Sequence, residues 1–225
     1  MAVVLFAVAM AWVEAAVVFY LRLITGHMDP YQPRPVPDIP GLQRAEMLRE
    51  AATMIMLGCV GWISGKVWRT RVAYLLIAFG VWDIFYYVFL KVLTGWPRTL
   101  LDWDILFLIP LPWWGPVLTP MSVAALMVLF GTLCTGDEPP LWPSRRSLRL
   151  SICGIGLLLA AFMFDAIGLL CRGADFVVIR DWLPKSFPWF LFSIGLALAA
   201  VPSFDLALQF IARSGLTDRT GESHE

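Results

Sequence analysis

The chain has 225 residues, of which 59% are apolar and 15% charged, against roughly 45–50% and 25% in soluble domains. Its mean hydropathy of +0.74 fits a bilayer better than water. Seventeen basic and seventeen acidic residues cancel, so the positive excess that a nucleic-acid partner requires is missing, and the class left standing is a small polytopic membrane protein.

A hydrocarbon core about 30 Å thick takes roughly 20 apolar residues as a helix, because irregular backbone would leave its polar groups unpaired in lipid. Six segments meet this requirement, near residues 3–25, 47–65, 72–94, 116–135, 150–171 and 187–211. The expected fold class is all-α: a membrane helix bundle with six transmembrane helices, one integral membrane domain over residues 1–225, and a short polar tail at 212–225.

The first segment lacks the basic start and the small-x-small cleavage site of a signal peptide, so it is read as a retained anchor. Five prolines between Pro30 and Pro40 then predict an extended, solvated loop. In the second segment the uncharged stretch from Ala51 to Gly65 covers about 22 Å at ~1.5 Å per residue, too short to span alone. Arg49 and Glu50 are therefore expected at or inside one boundary. Between the third and fourth segments, Trp96, Trp103, Trp113 and Trp114 alternate with Pro97, Pro110, Pro112 and Pro116. Indoles favour the headgroup level, which predicts an interfacial aromatic or shallow re-entrant segment over Trp96–Gly115.

Aligning Glu14 with Asp83 superposes Leu21-Arg22-Leu23-Ile24-Thr25-Gly26 on Leu90-Lys91-Val92-Leu93-Thr94-Gly95. Both helices read acid, seven residues, base, two aliphatics, Thr-Gly. Asp165 and Arg172-Gly173 give a weaker echo in the fifth segment, so two-helix repeats are an expectation, set against chance matching of apolar sequence.

An ionised side chain at mid-bilayer costs at least about 2.5–3.5 kcal/mol and normally faces the bundle interior or water. Glu14 and Asp83 fall near the centres of their helices. Asp83, Tyr87 and Lys91 follow one another at i, i+4 and i+8, with Tyr86 beside them, and Glu14, Val18 and Arg22 repeat that spacing. Glu46, Arg49, Glu50 and Thr53 form a polar stripe on the second helix. Together with Arg22, Lys91, Asp102 and Asp104 they predict an outer vestibule (Arg22, Glu46, Arg49, Glu50, Lys91, Asp102, Asp104) above a pocket whose binding or proton-linked groups are Glu14, Asp83, Tyr86 and Tyr87. The bland reading is that these acids and bases merely pair to lock helices together.

No nucleophile elbow, nucleotide loop or zinc-helix motif occurs, so no catalytic residue is assigned. The two histidines, His27 and His224, belong to a loop and the tail. A metal is not assigned either, although Glu14, Glu46, Glu50, Asp83 and Asp104 could offer oxygen ligands to a hard cation; the cofactor is unknown. Gly61-x-x-x-Gly65, Gly154 and Gly156 are read as helix-contact glycines, and Pro202 as a kink before Asp205.

Basic residues near helix ends set orientation. Lys66, Arg69, Arg71, Arg145, Arg146, Arg149, Arg213 and Arg219 lie on the N-terminal side, dense in short loops, which points to both termini in the cytoplasm of a bacterial inner membrane. The function expected first is proton- or cation-coupled translocation of a small solute through the carboxylate-lined pocket. A non-catalytic subunit or lipid-binding component of a larger membrane complex is the second reading, and a membrane-embedded enzyme on a lipid or quinone-like substrate the third; whether the chain is an enzyme stays open. Membrane lipids, a membrane-protein complex or a homo-oligomer are the expected partners.

Overall fold

A computed structural model describes residues 1–26, 28–32, 39–136 and 142–221, with backbone alone for Arg180 and 213–221. The proline-rich loop over 33–38, His27 and the side chains of Arg213 and Arg219 lie outside the described residues. Among those described, eight helices and one β-hairpin run in the order α1 (Ala2–Thr25), α2 (Leu42–Ser64), α3 (Trp68–Thr94), β1 (Trp103–Phe107), β2 (Trp113–Pro116), α4 (Leu118–Thr135), α5 (Arg145–Phe162), α6 (Phe164–Cys171), α7 (Phe176–Arg180) and α8 (Trp189–Gly221). Four of them, α1, α3, α4 and α8, are long and apolar enough to cross a membrane, or five if α5 and α6 count as one bent span.

Their outward faces suit apolar surroundings, with Ile55 66%, Ile63 81% and Phe190 82% exposed. Inside, small residues let backbones approach. Ala7, Ala11 and Ala15, fully buried at i, i+4 and i+8, form the stripe that seats α1 against α3: Ala7 and Ala11 in a core with Leu57 of α2 and Ala78, Val81 and Trp82 of α3, and Ala15 in a second core with Tyr87 and Leu90. Along the antiparallel α3–α4 seam, a Cβ on Gly131 would stand 2.7 Å from the Ala73 carbonyl. The α5–α8 seam is made the same way. A Cβ on Gly154 would lie 2.6 Å from the Gly195 carbonyl, whereas one on Gly156 would meet nothing within 4 Å. Of the two glycines in that stretch, only Gly154 is a contact.

Five departures from the sequence expectation have physical causes. First, the fold is mostly helical, but the aromatic segment adds an antiparallel hairpin pairing Trp103 with Pro116, Asp104 with Gly115, Ile105 with Trp114 and Phe107 with Trp113, with an irregularity after Ile105. Val117 and Leu118 extend it by donating to the Asp102 and Leu100 carbonyls at 2.9 and 2.7 Å. Prolines at 110 and 112 close the turn, and β-branched and aromatic residues supply the strands. Second, α2 begins at Leu42 rather than 47, because its charges face partners and need not end the helix. Those same charges keep it out of the set apolar enough to span. Third, the fifth segment breaks at Met163, where α5 and α6 meet at 71°, with Asp165 in the first turn of α6, where a helix N-terminus favours an acid. Fourth, α3 starts at Trp68 rather than 72, in register with the very short turn after α2. Fifth, α8 runs through Pro202 to Gly221, so the expected polar tail is helical over much of its length.

The local match between α1 and α3 has a structural counterpart. Each ends at Thr followed by a glycine in the left-handed region, Gly26 at φ 70° and Gly95 at φ 76°, a termination that a side chain would strain. Lys91 caps its own helix end, donating to the Gly95 and Pro97 carbonyls at 3.1 and 2.6 Å. Arg22 donates to the Met28 carbonyl at 3.2 Å.

Candidate functional site

Glu14 lies eleven residues before the end of α1, Asp83 eleven before the end of α3, and Thr53 eleven after the start of α2. At ~1.5 Å per residue all three stand about 16 Å below the same end of the bundle. There α1, α2, α3 and β1 enclose a cavity of about 250 Å³. Glu14, Arg22, Glu46, Arg49, Glu50, Thr53, Asp83, Tyr86, Tyr87 and Asp104 all line it, with Val18, Trp82 and the Ile105–Leu108 backbone run completing the wall. Nine of the eleven residues expected at the site thus converge. Lys91 and Asp102 do not. Lys91 is spent on the end of α3, and Asp102 accepts from the Arg98 amide and the Thr99 hydroxyl at 2.7 Å each. Desolvation raises the Asp102 carboxyl, but those bonds together with the Thr99 amide and the Arg98 charge outweigh it and hold the group below its ordinary range.

Most of the charges have partners. Arg49 forms an ion pair with Glu14 and a fork onto Glu46, whose Oε2 accepts from Nε at 3.0 Å and Nη2 at 2.8 Å. The Thr53 hydroxyl donates to the other Glu14 oxygen at 3.4 Å. One guanidinium on α2 therefore ties α1 to α2, an arrangement suited to its planar set of donors. Buried Glu50 accepts the Leu108 amide at 3.0 and 3.1 Å, fastening α2 to the hairpin turn just after β1.

Asp104, only 3% exposed, is the hub of the second group. Its Oδ2 accepts from the Tyr87 hydroxyl at 3.1 Å, and Arg22 approaches its Oδ1 at 3.9 Å while stacking on Trp96 at 4.3 Å. Burial pushes the Asp104 carboxyl from 3.8 up to about 6, although Arg22, the Tyr87 hydroxyl and the Ile105 amide pull the other way. A raised carboxyl binds its proton more tightly in the folded chain than in the unfolded one. Its contribution to stability is therefore greatest near pH 4 and declines as pH rises toward 6. Asp104→Asn is expected to remove about 1–3 kcal/mol of that pH dependence. Unfolding midpoints of both proteins at pH 4.5 and 6.5 check this, and an unchanged pH slope in the variant contradicts it.

Asp83 differs from its neighbours. It lines the cavity half-buried and has no hydrogen-bond or ion-pair partner among the described residues. Tyr86, packed edge-on against Tyr87 at 5.1 Å, sits one turn along. Counting the lining groups, five acids (Glu14, Glu46, Glu50, Asp83, Asp104) face two bases (Arg22, Arg49).

Sequence reasoning missed the hairpin's share of the wall, the role of Trp96 as a platform for Arg22, and Trp82. Two acids at 102 and 104, alternating with Trp103 in an aromatic, proline-punctuated run, were the available signal for the hairpin. Among the described residues no three Asp, Glu, His or Cys side chains converge as a metal site would require. No family model, curated protein or solved structure matches the chain.

Proposed function

We propose that the chain is an integral protein of a bacterial inner membrane that translocates a small solute in a step coupled to protons or another cation. The cavity is its binding site and Asp83 the group that gains and loses the proton. In this reading α2 is a sixth span, tolerated because Glu46, Arg49 and Glu50 turn toward partners and the cavity rather than lipid. The exposed cations at Lys66, Arg145, Arg146 and Arg149 favour both termini in the cytoplasm.

One observation carries this reading. Four elements bring an unpaired carboxyl, four further acids and two guanidiniums to a cavity midway down apolar helices. Glu14 and Asp83 have different roles in it: Glu14 is held by Arg49, and Asp83 is free to respond. Proteoliposomes carrying a trapped pH dye test it. Wild type is expected to pass protons at rates that differ between pH 5 and pH 8, Asp83→Asn to lose that difference, and Glu14→Gln to slow flux at both. Equal wild-type rates at the two pH values would remove proton coupling.

The Glu14–Arg49–Glu46 network also favours a second reading, a non-catalytic subunit of a membrane complex or a homo-oligomer, since charges that satisfy one another need no ligand. It expects Asp83→Asn and Glu14→Gln to reduce assembly while leaving no flux to change.

A further inference from the structure

Resting on the reading of the cavity as a ligand site, we infer that its ligand is a small organic ammonium ion, seated with its charge on the Asp83 carboxylate and its alkyl groups on the rings of Trp82, Tyr86 and Tyr87.

Charge decides the sign of the ligand. Both bases are committed, Arg49 to Glu14 and Glu46 and Arg22 to Met28, Asp104 and Trp96. A solute carrying a carboxylate or phosphate would find no free cation and an excess of acids. Asp83 is the uncommitted group, and it is negative when ionised.

The walls decide the kind of cation. Bare metal ions require several oxygens at once, and no three candidate ligands converge among the described residues. Three rings close to Asp83 on α3, those of Trp82, Tyr86 and Tyr87, line the same cavity instead. Trp82 precedes Asp83 in sequence, lines the cavity at 5% exposure and stands 6.5 Å from Tyr86. A cation set over aromatic faces is attracted to the ring electrons, more strongly when desolvated, and Arg22 on Trp96 already exploits that contact at the edge of the site. Volume sets the size. About 250 Å³ lies below the roughly 300–1,000 Å³ of sites for drug-sized ligands, which suits an ammonium bearing a few carbons.

Titration calorimetry of the full chain in lipid nanodiscs at pH 8 tests the inference, with tetramethylammonium and methylammonium as probes and sodium, calcium and acetate as comparisons. One of the ammonium ions is expected to bind saturably at one site per chain. Binding should fall at least tenfold in Asp83→Asn and return in Asp83→Glu. A measurement on wild type alone covers the case in which the variants do not fold: a hydrophobic carbodiimide should label Asp83, and the bound ammonium should slow the labelling at least fivefold while sodium and acetate do not. Absence of saturable ammonium binding by folded wild type overturns the inference. So does undiminished binding in Asp83→Asn, unprotected labelling, or tighter binding of calcium or acetate. Ammonium binding without proton flux leaves this inference standing and removes the coupled transport proposed above. Proton flux without ammonium binding does the reverse.

Discussion

Arg49→Met is expected to destabilise the bundle by about 2–4 kcal/mol, somewhat below the roughly 3–5 kcal/mol lost when one member of a fully buried ion pair is removed, because the side chains of Arg49, Glu14 and Glu46 stay partly exposed. The loss comes less from the missing attraction than from what stays behind. Glu14 loses its ion-pair partner and Glu46 a fork at 2.8 and 3.0 Å, so two carboxyls remain in a poorly solvated site and must either take up protons or draw in water. Neutralising them should recover most of the loss: Arg49→Met combined with Glu14→Gln and Glu46→Gln is expected to regain more than half. Because these residues touch, the single effects should not add. Unfolding in increasing sodium dodecyl sulfate against a fixed background of mild detergent measures both quantities. An Arg49→Met protein within about 1 kcal/mol of wild type would show the network to be energetically idle.

The second large effect lies on the opposite side of the molecule and involves no charge. Gly154→Leu places a side chain where a Cβ would meet the Ala199 backbone nitrogen first, then the Gly195 carbonyl oxygen at 2.6 Å and the Leu198 carbonyl carbon at 2.9 Å. Backbone cannot step aside as a flexible side chain can, so α5 and α8 must separate along their whole seam. The cost should reach or exceed the roughly 1–3 kcal/mol usual for overpacking. Gly156→Leu, two residues on and facing open space, should instead gain up to about 1 kcal/mol from helix propensity. The same substitution is thus expected to act with opposite sign at the two positions. The separation of midpoints in the same denaturation assay checks it, and equal shifts would mean that the seam is not packed as described.

Sequence alone revealed much of the helical framework, because a 20-residue apolar run has few fates in lipid, and Thr-Gly after Arg22 and Lys91 marks helix ends that need a left-handed residue. It was less informative where tertiary contacts decide. Hydropathy stops at charge, so it placed the start of α2 late: Arg49 and Glu50 have partners on other elements, Glu14 and the Leu108 amide, and Glu46 pairs with Arg49 along its own helix. The break at Met163 has neither proline nor glycine beside it. The hairpin strands, short and apolar, resemble interfacial sequence when read residue by residue.

The site divides along the same line. That Glu14, Asp83, Arg49 and Asp104 are costly in lipid and must face inward follows from hydropathy. Which acid meets which base depends on helix rotation, and this separated Glu14, paired with Arg49, from Asp83, which is not. Glu50 shows the limit most plainly. Its partner is a main-chain amide 58 positions away, and no side-chain pattern encodes it. Lys91 and Asp102 went the other way, since each found carbonyls or amides a few residues off and had no need of the cavity.

The clasp between Glu14 and Arg49 also bears on how the protein is made. Thirty-five residues separate the two, so at ~5–20 residues per second the first helix leaves the ribosome seconds before its counter-ion exists. During that interval the carboxyl has no partner, and admitting it charged costs at least about 2.5 kcal/mol. The first helix should therefore linger at the translocon, or enter protonated, until the second arrives, and the two should partition into lipid together. Nascent chains arrested before and after Arg49 emerges, scored for membrane integration, should show α1 integrating poorly in the shorter chain and readily in the longer one, and Glu14→Gln should abolish the difference.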